Sequence, residues 1–399
     1  MDSMTLDKDC LQLEAYSMGR NGGSESDPVA KTNPTRILLV TFDPPGNIGG
    51  IEGRVEGYVK ELSRRGGRAE VLALAPEYKS GISTFWGARL YELSSRPAQA
   101  LRSLLATERI LINRELDSVF LISGAITLYG NALLAESRLM HRRTAVLFYG
   151  KDILQARRGL LGRMMMRASI VLSNTVFANS RFTASLLPPF AGRKQRLLYP
   201  SVDPRLGSAG LPGQRTGHRI LFVGRLVRRK GADDLIDAFR SISGDFPDWR
   251  LEIVGDGPER KRLERLVADL GLGERVEFFG SLRGRALYDR YGFCDVVAMP
   301  SKRLSDDVEG FGTVFLEAGI FGKPSVGTFS GGIPESIVDG ETGILVREGD
   351  ARQLETALAS LLSDPELRLR MGREARERVL RDFTWQRSAD RLEEGLSAR

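Results

Sequence analysis

Apolar residues along this chain fall into two alternating rhythms. ILLVTF at 37–42 is an unbroken branched run of the kind a strand buried on both faces requires, and AEVLALA at 69–75 repeats it. Between them the loop PPGNIGGIEG gives way to Val55, Tyr58, Val59 and Leu62, the spacing of a helix with one buried face, which stops at Gly66 and Gly67. Strand, glycine loop, helix and strand predict the first βαβ unit of a doubly wound parallel sheet. The order restarts at residue 219: RILFVG is a strand, RLVRRKG a loop, ADDLIDAFRSI a helix and RLEIVG the next strand. The fold class is therefore α/β, with two Rossmann-like doubly wound domains and the ligand site in the cleft between their strand ends.

Breaks in these rhythms set the domain boundaries. Residues 1–34 are polar, carry Gly22, Gly23, Pro28 and Pro34, and lack apolar periodicity, which predicts a disordered extension. Residues 35–200 form the first domain and 219–382 the second, joined by a Pro- and Gly-rich linker at 201–218. SVFLISGAITLYGNALLA at 118–135 is uncharged over roughly a membrane's length, but Ser, Gly, Thr and Asn interrupt it, so a strand, a loop and a helix are predicted. The N-terminus shows no basic region followed by an apolar stretch, and the chain is expected in the cytoplasm.

Composition narrows the chemistry. Cys10 and Cys294 are the only cysteines and His141 and His218 the only histidines, so a disulfide framework, a cysteine zinc site and a histidine-rich metal centre all lack material. A net charge of +7 spread over 399 residues favours phosphates or anionic surfaces and does not imply nucleic acid. No G-x-G-x-x-G survives at Gly255 and Gly257 or at Gly310 and Gly312, and Gly322 and Lys323 are followed by Pro324 where a P-loop needs Ser or Thr. Dehydrogenase and P-loop readings fall. Asp306 and Asp307, adjacent on a polar loop, read as solvated carboxylates, and no metal is expected.

The densest candidate chemistry lies in VEGFGTVFLEAGIFGKPSVGTFSGGIPESIVDGETGILV, residues 308–346. Gly310 and Gly312 permit a tight turn, Thr313 is the expected cap of a helix carrying Val314, Phe315, Leu316 and Ala318, and such a helix start points unpaired N–H groups at an anion. Glu309 before the turn and Glu317 one turn into the helix are acceptors at two depths, as a polyol bearing a phosphate would need. A second glycine turn, Ser330-Gly331-Gly332, follows.

This segment resembles the signature of the group 1 (family 4) glycosyltransferases, retaining enzymes of the GT-B fold that use a nucleotide-sugar donor between two Rossmann-like domains. ILFVGRLVRRKGADDLIDAF (220–239), LEIVGDGPERKRLE (251–264), VEFFGSL (276–282) and VFANSRFTASLL (176–187) each resemble a family block, in family order. The likeness spans about residues 35–390 and is stronger in the second half. It implies that the first domain takes the acceptor and the second the donor, and that FTWQRSADRLEEGL at 383–396 resembles the terminal helix that crosses back to the first domain.

Without a metal, a departing nucleoside diphosphate needs fixed cations and dipoles. By composition alone Arg225 and Lys230 are equally a solvated basic run with Arg228 and Arg229. The resemblance assigns the diphosphate to Arg225 and Lys230 and leaves Arg228 and Arg229 facing solvent. It places Glu317 on the ribose hydroxyls, Glu309 on the hydroxyls of the transferred sugar, and the N–H groups of Gly312, Thr313 and Val314 on the phosphate. Gly50 resembles the family's close-approach glycine. Arg283 lies near the base, or is simply a surface arginine.

One departure concerns LFYGKDIL at 147–154, where the family often has a histidine and this chain has Tyr149, followed by Asp152. A phenol with a reference pKa of about 10 is no base at neutral pH and can only share a hydrogen bond with sugar or acceptor. Family members are thought to let the leaving diphosphate take the acceptor's proton, which needs no histidine.

The expected function is retaining, metal-independent transfer of a hexose from a UDP- or GDP-sugar to a hydroxyl of a glycan, lipid-linked glycan or small molecule, with no cofactor. A sugar-nucleotide epimerase or hydrolase is the alternative. ILQARRGLLGRMMMRASIVL at 153–172 suits an amphipathic helix resting peripherally on an anionic inner-membrane surface, and equally a core helix with a basic outer face.

Overall fold

The computed structural model describes residues 36–43, 50–75, 78, 81–95, 100–112, 116–208 and 217–397; the expected extension at 1–34 and residues 209–216 of the linker lie outside them. The first sheet comprises β1 (Arg36–Thr41), β2 (Arg68–Ala75), β3 (Gly81–Phe85), β4 (Ala88–Ser94), β5 (Ser118–Leu121), β6 (Arg143–Phe148), β7 (Thr175–Ala178) and β8 (Gln195–Leu197). Their spatial order is β3-β4-β2-β1-β5-β6-β7-β8, parallel except for the β3–β4 hairpin at one edge. The helices of this half are α1 (Gly50–Arg64), α2 (Ala100–Ile112), α3 (Leu128–Leu139), α4 (Gly150–Ala156), α5 (Leu160–Leu172) and α6 (Arg181–Leu186).

The second sheet comprises β9 (Arg219–Val223), β10 (Arg250–Val254), β11 (Val276–Gly280), β12 (Val296–Ala298), β13 (Ser325–Thr328) and β14 (Gly343–Val346). It runs parallel throughout in the order β11-β10-β9-β12-β13-β14. Around it lie α7 (Ala232–Ile242), α8 (Arg260–Asp269), α9 (Gly284–Phe293), α10 (Thr313–Ile320), α11 (Ile333–Ser336), α12 (Ala351–Ser363), α13 (Pro365–Asp382) and α14 (Trp385–Ser397). The fold is α/β with two doubly wound sheets.

Successive strand residues alternate faces, so each unbroken apolar run feeds two cores. In β1, Leu38 and Val40 join one cluster while Ile37 and Leu39 join another; in β9, Ile220 and Phe222 separate in the same way from Leu221 and Val223. Both sheets reverse winding beside their first strand, between β1 and β5 and between β9 and β12. At such a point the loops leaving adjacent strands diverge and open a crevice at the carboxyl ends. In the second sheet those loops begin at Gly224 and Met299, which brings Arg225 and Lys230 to the same place as the turn around Glu309.

The described residues belong to one compact unit. Helix α14 lies on α1: Trp385 packs edge-on to Tyr58 with centroids 5.4 Å apart, and the Tyr58 and Ser388 hydroxyls share a hydrogen bond of 2.7 Å. Gly57 leaves room for this indole, since a Cβ there would fall 2.1 Å from the Trp385 ring. Arg65 pairs with Asp390 and Glu393 beside it. Where the chain passes between the halves, Val202 N–H donates to the Phe383 carbonyl at 2.9 Å. Among the described residues no helix is long and apolar enough to cross a membrane.

Candidate active site

The loop after β9 is anchored by the fully buried Leu226, whose N–H donates to the Asp256 carbonyl at 2.8 Å. Arg225, just before this anchor, is exposed, and its guanidinium makes no hydrogen bond or ion pair with another described residue. Beyond it the short turn Arg228–Lys230 splits the basic run. Arg228 stays outside, but Arg229 does not: it is buried, with Nη1 donating to Glu309 Oε2 at 2.7 Å and Nε lying 3.0 Å from Asp307 Oδ2. The expectation that Arg229 faces solvent is therefore corrected, because a single turn of helix sends consecutive side chains in different directions. Asp307 is corrected with it, from a solvated carboxylate to a partner of Arg229. Asp306 pairs with Arg158 of the first half at 3.3 Å.

Lys230 Nζ donates to the same Glu309 oxygen at 2.6 Å and lies 3.4 Å from Met299 Sδ. Burial pushes the Glu309 carboxyl up, yet Lys230 and Arg229 outweigh it and hold the group at about 2. Burial pulls the Lys230 ammonium below its ordinary value, opposed by Glu309. At neutral pH Glu309 is thus a fixed anion between two cations. Since an ammonium carries three donors, Lys230 can serve Glu309 and an incoming oxyanion together.

Glu309 leads into α10 through a turn that only glycine completes. Gly312, with φ at +88°, is the residue that caps α10, and Thr313 is its first helical residue; the expected Thr313 cap is replaced by backbone geometry, with no side-chain cap present. The first-turn N–H groups, Thr313 and Val314 among them, have no acceptor within the helix. The second glycine turn lies against the back of the first: Gly332 N–H donates to the Glu309 carbonyl at 3.0 Å, and a Cβ on Gly331 would fall 2.1 Å from that oxygen. Glu317, one turn into α10, accepts from Tyr291 hydroxyl at 2.5 Å, and its carboxyl is raised by burial.

Across the crevice, Tyr149 caps α4 at the carboxyl end of β6, and Gly150 lies against Val308, to which a Cβ would stand 3.2 Å away. Among the described residues the buried Tyr149 hydroxyl has no partner, and burial pushes its pKa well above the ordinary phenol value. Burial also raises Asp152, to about 6. Asn179, at the end of β7, is buried with Oδ1 unpartnered and its amide against Gly310. Glu335 reaches from the second half to the start of α6, accepting from the N–H groups of Arg181 at 2.8 Å and Phe182 at 3.0 Å and from the Tyr199 hydroxyl at 3.0 Å.

The structure thus brings together Lys230, Glu309, Gly312, Thr313, Val314 and Glu317, with Arg225 beside Lys230, while Tyr149 and Asp152 flank Gly150, which lies against Val308. Gly50 opens α1, and residues 44–49 of its loop lie outside the described residues. Arg283 is exposed at the cap of α9, after the edge strand two places from β9. Arg229, Asp307, Tyr291, Asn179 and Glu335 were not read as site residues from the sequence. Asn179, Arg229 and Glu335 lay in quoted segments, at 176–187, 220–239 and 308–346, but Tyr291 and Asp307 lay in none of them.

Residues 212–378 match the model of the glycosyl transferases group 1 family. Over 386 residues the chain is 32% identical to a GDP-mannose-dependent alpha-(1-6)-phosphatidylinositol monomannoside mannosyltransferase of Mycolicibacterium smegmatis, covering 91% of this chain and 98% of that one. The chain belongs to the group 1 glycosyltransferases. The similarly named Mycobacterium tuberculosis enzyme is 30% identical over 382 residues, covering 91% of this transferase and 98% of its own length. Its GT-B fold matches the crystal structure of Anabaena Alr3699/HepE in complex with UDP and glucose with a TM-score of 0.73 at 21% identity, covering 92% of this chain and 100% of that one. Transfer, rather than epimerisation or hydrolysis, is the activity these relatives carry.

Proposed function

We propose that this glycosyltransferase moves mannose from GDP-mannose to a hydroxyl of a phosphatidylinositol-type glycolipid, with retention at the anomeric carbon and without a metal. The names of the relatives that match it end to end support the donor and the acceptor class, narrowing the expected UDP- or GDP-sugar to the second. The observation that carries the mechanism is the Arg229–Glu309–Lys230 cluster at the start of α10. Arg225, Lys230 and the N–H groups from Gly312 to Val314 take the diphosphate, and their fixed charges and dipoles stabilise it as it leaves. Glu317 takes the ribose hydroxyls. Glu309, kept ionised, accepts from hydroxyls of the mannose.

As the bond from the anomeric carbon to the diphosphate oxygen breaks, the acceptor oxygen forms its bond on the same face, and its proton passes to that diphosphate oxygen. Tyr149, whose phenol stays protonated, supplies only a hydrogen bond. Thermal stabilisation across GDP-, UDP- and ADP-sugars tests the donor, since a ligand at a hundred times its Kd adds about 2.7 kcal/mol. GDP-mannose should raise the midpoint most. A larger shift with a UDP- or ADP-sugar refutes the donor assignment.

A further inference from the structure

Helix α6 begins, as any helix does, with N–H groups that its own turn cannot satisfy. The side chain of Ser180 takes one, accepting from Thr183 N–H at 3.0 Å. Those of Arg181 and Phe182 are taken by the carboxylate of Glu335, in α11 of the second half, one on each oxygen at 2.8 and 3.0 Å. Tyr199, which follows β8, adds its hydroxyl to the oxygen already shared with Arg181, at 3.0 Å. One carboxylate of the second half thus accepts three hydrogen bonds from the first.

Glu335 is also built into the back of the turn that carries Glu309. Its N–H donates to the Gly332 carbonyl at 3.0 Å, and Gly332 N–H donates in turn to the Glu309 carbonyl. Arg378 of α13 fixes the same short helix, donating to the carbonyls of Glu335 at 2.5 Å and Ser336 at 2.8 Å. A second path joins these points through packed rings. The Tyr199 ring stands 5.4 Å from that of Phe311, the buried residue between Gly310 and Gly312, and Phe383 closes the triangle at 5.6 Å from each. Tyr199 therefore meets Glu335 through its hydroxyl and the Glu309 turn through its ring.

We infer that Glu335 is a positioning residue for transfer, fixing the first half against the turn Glu309–Gly312 so that the groups around Tyr149 and Asn179 stand at a set distance from the donor. The segment it holds is the one that carries those groups. Asn179, whose amide lies against Gly310, is two residues before Arg181, and a Cβ on Gly150 would stand 3.2 Å from Val308 and 3.5 Å from the Phe182 ring. Phe182 is thus held by Glu335 through its N–H and lies beside Tyr149's neighbour through its ring. Reacting atoms must approach within about 3 to 3.5 Å, and a misplacement of about 1 Å costs about a hundredfold in rate. The Glu335 carboxylate is engaged by protein donors and acts through them. The kinetic consequence rests on the transfer from GDP-mannose proposed above.

Calorimetry with GDP and initial rates on the full chain test it, with GDP-mannose as donor and phosphatidylinositol monomannoside in detergent micelles as acceptor. Rates are counted per GDP site titrated, so a variant that merely unfolds loses sites and keeps its rate per site. Glu335→Ala should lower kcat per site about tenfold or more with the Kd for GDP held within about twofold, because Arg225, Lys230 and α10 all lie on the second half. Glu335→Gln keeps one acceptor oxygen for these N–H groups and should fall between the parent and Glu335→Ala. Tyr199→Phe keeps the ring on Phe311, removes one bond to Glu335 and should cost about threefold. Amide hydrogen exchange at Arg181 and Phe182 should rise in Glu335→Ala while β1 and β9 stay at the parent's level. Undiminished kcat per site in Glu335→Ala overturns the positioning role, as does a Kd for GDP that weakens in step with kcat. Unchanged exchange at Arg181 and Phe182 overturns the contact on which the role depends. A parent that binds GDP but moves no mannose refutes the function proposed above and this role with it, whereas an active parent with an equally active Glu335→Ala refutes only the role.

Discussion

The two sides of the crevice solve opposite problems. On the second sheet Arg229, Lys230, Asp307 and Glu309 form ion pairs of about 3 Å, and the Glu309 carboxyl is held at about 2. On the first sheet the buried Tyr149 hydroxyl and Asn179 Oδ1 have no partner among the described residues, and Asp152 is pushed up to about 6. One side is a finished electrostatic cradle for a ligand whose charge is invariant. The other holds buried polar atoms that, on the proposed function, would meet the hydroxyls of a bound ligand.

The largest break in this contrast comes from Glu309→Ala, which leaves buried Lys230 without a carboxylate and Arg229 with Asp307 alone. Stability should fall by about 3 to 5 kcal/mol in urea melts and transfer should be lost. In the parent, the folded carboxyl titrates below its ordinary 4.5, so the contribution of Glu309 is complete above that pH and disappears as pH falls toward 2. Urea midpoints measured down that range should show the loss in the parent and not in the variant. An unchanged midpoint for Glu309→Ala would mean that the cluster is not a stabilised unit.

Next come the cations. Lys230→Ala and Arg225→Ala should each lower turnover at least about tenfold as leaving-group stabilisation is lost. They should part on stability: Lys230→Ala leaves Glu309 one partner short, whereas Arg225 is exposed and its loss should not move the melting midpoint. Arg229→Ala should destabilise, and Arg228→Ala should do neither. Equal kinetic damage from Arg228→Ala would undo the division of the basic run. For Glu317→Ala, calorimetry with GDP should show a loss of about 1.5 to 3 kcal/mol in affinity, and an unaltered Kd would remove Glu317 from the ribose.

The acceptor side should respond least and with the opposite sign. Tyr149→Phe removes a buried hydroxyl that has no partner among the described residues, so the ligand-free enzyme should be as stable or about 1 kcal/mol more stable, while the acceptor KM rises and GDP affinity holds. Asp152→Asn should gain stability above pH 6, since a carboxyl raised from 3.8 to about 6 costs stability once it ionises. A stability loss in Tyr149→Phe would show that its hydroxyl already has a partner.

The same contrast explains what the sequence discloses. The cradle was readable because its parts sit in two short runs, 225–230 and 309–317, placed by strand ends and a helix start and given their roles by the family resemblance. Even there the sequence could not tell Arg228 from Arg229, since one turn of helix decides which is buried, nor foresee that Gly312 rather than Thr313 caps α10. The acceptor side is assembled by contacts across more than a hundred residues, such as Glu335 with Phe182 and Gly310 with Asn179. No local pattern records such contacts. For α5 the composition of the helix is legible but its rotation is not, and the rotation places Leu160 and Leu161 outside.

The central claim is that a donor diphosphate held by Arg225, Lys230 and the start of α10 leaves without a metal and accepts the acceptor's proton on the same face. Proton NMR of the product formed from GDP-α-mannose in excess EDTA reads both parts at once. An α-linked mannoside, made at the rate seen without chelator, is the expected result. A β-linked product, or turnover abolished by EDTA and restored by Mg²⁺ or Mn²⁺, would contradict the account.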